Sequence, residues 1–145
     1  MIEAVVAKWH AYLGDPTGGG LDDLLDDEVV FYSPIVFTPQ HGKEVAARYL
    51  AAASQTFTGD ATEPGHASSA ADTGFHYTKT VMAGHTAIME FETTMQGKYI
   101  NGVDIIVCND EGRIIEFRVL IRPLQAVNVV HEQMAAMLGS MPESH

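Results

Sequence analysis

The sequence has little of what several large classes of protein require. Only one of its 145 residues is cysteine, Cys108, so no intrachain disulfide can form and a reducing compartment is expected. Eight Lys and Arg against 19 Asp and Glu give a net charge of −11, which disfavours binding to nucleic acid or to an anionic membrane. No apolar run approaches the length of a membrane span, and the N-terminus lacks the regions of a signal peptide. We therefore expect a cytoplasmic protein.

The seven histidines do not form a pattern typical of a metal site. No two of them are spaced i, i+4 on a predicted helix, or i, i+2 on a predicted strand with acidic neighbours. The glycine-rich stretch "GDPTGGG", residues 14–20, is followed by Asp22 and Asp23, whose charges would repel a phosphate. We predict neither a metal ion nor a cofactor.

Hydrophobic periodicity predicts helices in the first half of the chain. Apolar residues at helical spacing predict a helix at 2–13, and "LDDLLDDEV", residues 21–29, predicts a short second helix. The segments "VVFYSP" and "IVFTPQ" are typical of a strand pair around Pro34, and a third helix is predicted after Gly42.

The second half of the chain predicts an antiparallel meander. Residues 58–74 show no periodicity and predict a mobile loop. Strand patterns separated by turn residues begin at Phe75 and end at Pro123, and an amphipathic helix is predicted at 124–138. These elements predict one α+β domain over residues 1–145, in which the helices close the concave side of a curled sheet.

The stretch "GVDIIVCNDEGRIIEFRVLIRP" contains one unusual residue, the carboxylate of Asp104 within an apolar run. A three-residue loop, 110–112, would pair Asp104 with Arg118, and directly opposed residues of this kind form a cross-strand salt bridge. A four-residue loop, 109–112, would instead pair Asp104 with Phe117. Its face would then be otherwise apolar and would carry Ile106, Cys108, Ile115, Phe117, Val119 and Ile121. A slip of one residue exchanges the two faces, and the pattern alone leaves both open, with the first slightly cleaner.

Four parts of the sequence resemble the nuclear transport factor 2-like superfamily, and most closely its SnoaL-like group of polyketide cyclases and ketosteroid isomerase relatives. They are "LDDLLDDEVVFYSP", Pro39 with "HGKEVAARYL", "GVD…DEGRI" and "RPL". The resemblance implies a cystatin-like cone, in which a curved antiparallel sheet wraps on N-terminal helices and leaves a deep pocket. It also implies a homodimer formed through the sheet. Val103, Ile105 and Val107 lie on the face where that contact is expected.

The resemblance also suggests roles for individual residues. In ketosteroid isomerases, the aspartate eight residues before the hairpin glycine faces the pocket and donates a hydrogen bond to an oxyanion. Asp104 stands eight residues before Gly112, so this role is expected for Asp104, and the four-residue-loop register is favoured. The general base of those enzymes falls at Ser33 and the helix tyrosine falls near Trp9, so isomerisation by their mechanism is not expected.

Two functions from different classes remain. The first is a module that binds a small hydrophobic ligand, and the second is an isomerase- or cyclase-type acid–base enzyme that acts on an apolar carbonyl compound. Asp104 is the candidate neutral acid, and His41 is the candidate base because its turn is expected near the mouth of the cone. The predicted pocket-lining residues are Trp9, Ser33, Tyr49, Phe91, Ile106, Phe117, Val119 and Ile121. For Trp9, Tyr49 and Phe91 plain core packing is the alternative.

Overall fold

Six strands form one curved, mixed sheet in the computed structural model, which describes residues 1–15, 20–56 and 74–140. The helices are α1 (Ile2–Gly14), α2 (Leu21–Leu24), α3 (Lys43–Thr56) and α4 (Leu124–Ser140). The strands are β1 (Leu25–Tyr32), β2 (Gln40–His41), β3 (His76–Ala83), β4 (Thr86–Met95), β5 (Lys98–Cys108) and β6 (Ile114–Arg122). The sheet order is β2-β1-β6-β5-β4-β3, in which β1 runs parallel to β6 and the other neighbours are antiparallel. The predicted α+β class and the meander from β3 to β6 are confirmed.

Helix α1 covers the inner face of the sheet because its apolar residues recur every three or four positions. Its buried side chains include Ile2, Val5 and Trp9. The indole of Trp9 meets the ring of Phe117 on β6 edge to face, with the ring centroids 4.9 Å apart. A second group of buried residues, which includes Val130 of α4, packs against β4 and β5 near Phe91. The inner face of the sheet is therefore covered by α1 and α4.

Two predicted element boundaries near the start of the sheet are wrong. The helix predicted for residues 21–29 ends at Leu24, and Leu25 already pairs with Ile114 in the parallel contact between β1 and β6. Residues 25–29 therefore belong to β1, which pairs with β6, instead of continuing the helix that their sequence pattern predicts. The predicted second strand, residues 35–40, is reduced to Gln40–His41, because residues 33–39 form bends and coil before β2 begins.

The outer face of the sheet has exposed apolar side chains beside charged ones. Leu120 and Ile88 are 50% and 42% exposed, and Arg118 stacks over the ring of Tyr32 at 3.8 Å. The homodimer expected through this face stays a prediction. Residues 58–73 of the predicted mobile loop lie outside the described residues. Within 1–15, 20–56 and 74–140, none of the helices combines the length and hydrophobicity needed to cross a bilayer.

Candidate ligand-binding site

A cavity of about 410 Å³ lies between α1, α3 and the inner face of the sheet. Six aromatic residues contribute to its walls: Trp9, Phe31, Phe75, Tyr77, Phe91 and Phe117. Among the described lining residues, Asp104 is the one carboxylic acid. A cavity of this size, with apolar walls and few polar groups, is typical of sites that bind small organic molecules.

Asp104 faces this cavity because a β-bulge shifts the register of the β5–β6 hairpin. Near the turn, the Asn109 N–H donates to the carbonyl of Arg113 at 2.9 Å, as the three-residue loop requires. Between Val107 and Cys108 the register shifts by one residue, so that Asp104 pairs with Val119. Both predicted partners of Asp104 are therefore wrong, but the bulge returns its side chain to the apolar face expected for the four-residue loop.

Three side chains from different elements form a hydrogen-bonded chain at the cavity wall. The indole N–H of Trp9 donates to the hydroxyl oxygen of Tyr77 at 2.8 Å, and this hydroxyl donates to Oδ2 of Asp104 at 2.6 Å. The indole can only donate, so the hydroxyl must accept from it and direct its own hydrogen to Asp104. Oδ1 of Asp104 accepts no hydrogen bond within the described residues. When Asp104 is neutral, its proton is therefore best placed on Oδ1, available to a ligand.

Burial determines the protonation states of the two ionisable groups in this hydrogen-bonded series, Asp104 and Tyr77. Asp104 is only 5% exposed, and burial raises its pKa to about 7, while the hydrogen bond from Tyr77 partly opposes the shift. Burial, followed by the repulsion of the neighbouring carboxylate, also raises the pKa of Tyr77, so its hydroxyl stays protonated. The salt bridge with Arg118 does not form, because Arg118 points to the outer face. Near neutral pH, Asp104 therefore exists in both protonation states.

Six of the other predicted site residues line one or both of two cavities. Trp9, Phe91 and Phe117 line the cavity with Asp104, and Val119 lines it together with a second cavity of about 170 Å³. Ser33 and Tyr49 line only the second cavity, which is bounded by α3, α4 and the segment after β1.

Three predicted residues line neither cavity. Ile106 is fully buried in the core, and Ile121 packs against the cluster that contains Phe91. His41 is exposed on the edge strand β2, where it pairs with Val30, and it lines neither cavity. Its position gives no support to the predicted role of base, because alternation places its side chain on the face opposite to that of Phe31, which lines both cavities.

Sequence reasoning missed the residues that surround Asp104 on the side of β3. Tyr77 and His76 begin that strand, and His10 on α1 stacks edge-on against the Tyr77 ring with the centroids 5.3 Å apart. Alternation could have placed Tyr77 on the inner face, but a bulge between Tyr77 and Lys79 breaks the pattern of the strand. Among the described residues, no group of three or more His, Cys, Asp or Glu side chains could hold a metal ion.

Comparison with solved structures identifies the fold. No protein-family model matches the sequence, and no curated protein sequence matches it. A steroid delta-isomerase from Pseudomonas aeruginosa matches with a TM-score of 0.81 and 26% identity, over 95% of this chain and 91% of its own. An uncharacterised protein with a cystatin-like fold from Silicibacter pomeroyi matches with a TM-score of 0.77 and 23% identity, over 94% and 86%.

A third solved structure shares the fold. It is a nuclear transport factor 2-like protein of unknown function from Mesorhizobium loti, with a TM-score of 0.64 and 19% identity, over 83% of this chain and 90% of its own. The closer resemblance to the SnoaL-like group stays a prediction. The chain thus has a cystatin-like fold, which it shares with a steroid delta-isomerase and with a nuclear transport factor 2-like protein.

Proposed function

We propose that the protein binds a small apolar molecule through a carbonyl oxygen, which accepts a hydrogen bond from Asp104. The observation that carries this proposal is a carboxylic acid, the only one among the described lining residues, with one oxygen fixed by Tyr77 and the other left for a ligand. Asp104 lines the cavity, so a ligand that supplies an acceptor gains both the hydrogen bond and the apolar contacts.

The raised pKa of Asp104 selects the chemical class of the ligand. A neutral acid donates a hydrogen bond and suits a ketone or aldehyde, whereas an ionised carboxylate would suit an amine or a hydroxyl donor. The cavity has few groups that would solvate a charged ligand. The name of the steroid delta-isomerase that shares the fold makes polycyclic ketones reasonable ligands as well.

The proposal predicts that ketone binding depends on pH. We expect butyrophenone to quench the fluorescence of Trp9, the only tryptophan of the chain, and to bind about tenfold or more weakly at pH 9 than at pH 5.5. Affinity is highest below about pH 7 and is lost above it, because Asp104 then loses the proton that it donates. Asp104→Asn keeps an N–H donor, so it should bind with little dependence on pH.

The variant Tyr77→Phe removes the hydroxyl that orients Asp104 and is expected to weaken binding by about threefold to tenfold. Tyr99→Phe is the matched control, because the Tyr99 hydroxyl donates to Glu92 on the exposed part of the sheet. Equal affinity for butyrophenone and for butylbenzene, which lacks the carbonyl, would contradict the proposal. So would equal ketone affinity at the two pH values.

A second candidate function is acid–base catalysis on the same ligand, which the pKa of Asp104 near 7 favours. Ser33 cannot serve as base, because its Oγ accepts hydrogen bonds from the N–H groups of Ile35 and Val36 and lines the second cavity. His10 lines the same cavity as Asp104. In this mechanism the C–H bond beside the carbonyl breaks, its proton passes to the His10 ring, and the enolate oxygen accepts the hydrogen bond from Asp104.

Catalysis predicts that the protein exchanges the α-hydrogens of butyrophenone with deuterated water, measured by NMR. We expect His10→Ala to slow this exchange about a hundredfold, as is usual when a positioned base is removed. His41→Ala is the control and should leave the rate unchanged, because His41 is exposed on β2. Binding without exchange above the uncatalysed rate would leave the binding module as the function.

A further inference from the structure

The second cavity lies beside the first and shares part of its wall. Phe31, Ala53 and Val119 line both cavities. Ala53 and Val119 are only half-buried, although α3 and the inner face of β6 surround them. The wall between the two spaces is thus built partly from two small side chains that retain exposed surface.

The shared wall is next to the carboxylic acid. Val119 is the direct cross-strand neighbour of Asp104, and opposed side chains on one face lie about 5 Å apart. A carbonyl group that accepts a hydrogen bond from Asp104 therefore has one of its two substituents close to Val119. The other substituent is free to occupy the aromatic part of the first cavity, near Phe75 and Phe91.

The chemistry of the second cavity suits an apolar chain. Most of its lining side chains are apolar, among them Ile35, Val36, Val130 and Met134. The Oγ of Ser33 is already occupied by two backbone N–H groups, so it adds little polarity. The volume of about 170 Å³ corresponds to roughly five to six carbon atoms, at about 30 Å³ for a group of the size of water.

We propose that the second cavity receives an alkyl tail, so that the ligand is an elongated ketone with a ring in the first cavity and a chain of about five carbons beside Asp104. This inference rests on the proposed function and adds the shape of the ligand to it. The two cavities are then one divided site, with the polar contact near the division.

The test uses alkyl phenyl ketones with tails of one to ten carbons, titrated against the fluorescence of Trp9 at about pH 5.5. Affinity should rise by about fourfold for each methylene that enters the second cavity and should level off at about five carbons. In Ala135→Phe the new ring occupies the second cavity, since Ala135 lines it from α4. This variant should lose about tenfold or more in affinity for the pentyl ketone and keep its affinity for acetophenone.

Ala136→Phe is the matched control, because Ala136 is exposed on the same helix and does not line the cavity. The divided site would be overturned if short ketones bind but affinity does not change with tail length. It would also be overturned if Ala135→Phe and Ala136→Phe have the same affinities for the ketones. If no ketone of any length binds, the proposed function fails, and the divided site fails with it.

Discussion

Asp104→Asn is expected to make the protein more stable than the unchanged chain at pH 8, by an amount that shrinks as the pH falls. The pKa of Asp104 is about 7 in the folded protein, against an ordinary value of 3.8, which applies to the unfolded chain. Between these two values the folded state holds the proton and the unfolded state does not. The stabilising contribution of the neutral acid is therefore complete below about pH 4 and is lost as the pH rises through 7.

The size of this effect follows from the shift of about three pKa units. Each unit corresponds to about 1.4 kcal/mol, so the difference in unfolding free energy between the variant and the unchanged protein should change by about 4 kcal/mol from pH 4 to pH 8. Asparagine cannot ionise and does not contribute this dependence. Since whole domains are stable by about 5 to 15 kcal/mol, a change of this size is easily measured.

Urea denaturation at several pH values between about 4 and 8 measures the difference. At each pH, the unfolding free energy of the unchanged protein is subtracted from that of Asp104→Asn. This difference removes the contributions of all other titrating groups, provided that the substitution leaves them unchanged. Asp23→Asn, which removes an exposed carboxylate at α2, controls for the loss of one negative charge. A difference between Asp104→Asn and the unchanged protein that stays constant with pH would mean that Asp104 is not held neutral by burial.

The burial of an acid that destabilises its own fold at neutral pH supports the proposed function. An apolar residue at position 104 would fit the surrounding Ile106, Phe117 and Val119 and would avoid the cost of burying a charge. Groups with strongly perturbed pKa values concentrate at functional sites, although ionic networks also produce them. Here no ion pair accounts for the shift, since the largest cause is burial and the contact is with Tyr77.

The residues alone leave open which face of the sheet Asp104 occupies, and only the family resemblance favours the inward face. Its cross-strand partner could not be predicted. Alternation along β5 places Asp104 with Ile106 and Cys108, and this pattern depends only on neighbouring residues. The partner depends on the bulge in β6, where Ile114 and Ile115 are both apolar and either could point to the core. Only the packed structure shows that Ile114 is fully buried and that Ile115 is the additional residue.

The hydrogen-bonded chain could not be predicted because its members are far apart in the sequence. Trp9 and Tyr77 are separated by 68 residues, and Tyr77 and Asp104 by 27. Periodicity assigns each residue to a face of its own element, but it does not give the register between β3 and β5 or the position of α1 above them. The same reason limits the prediction for His41, whose place was judged from the expected position of a turn.

Gly102→Ala is expected to destabilise the protein by about 3 kcal/mol, at the upper end of the usual cost of overpacking. Gly102 is paired with Phe91, whose ring lies across it. A Cβ at this position would overlap Cζ of Phe91, and it would lie 2.8 Å from Cε2 of the same ring and 2.7 Å from the carbonyl oxygen of Leu120. The ring can shift, but the carbonyl belongs to the sheet and cannot move without breaking pairing between β5 and β6.

Denaturation of two variants separates these contacts. Gly14→Ala is the matched control, since a Cβ there meets nothing within 4 Å at the end of α1, and its stability should be nearly unchanged. The double variant Gly102→Ala, Phe91→Leu should behave differently from the sum of its single changes, because the smaller side chain removes the overlap with the ring and leaves that with Leu120. Simple additivity would show that the ring is not the obstacle. Because Phe91 also lines the first cavity, Gly102→Ala should weaken butyrophenone binding too. This result would show that the absence of a side chain at Gly102 contributes to the shape of the cavity.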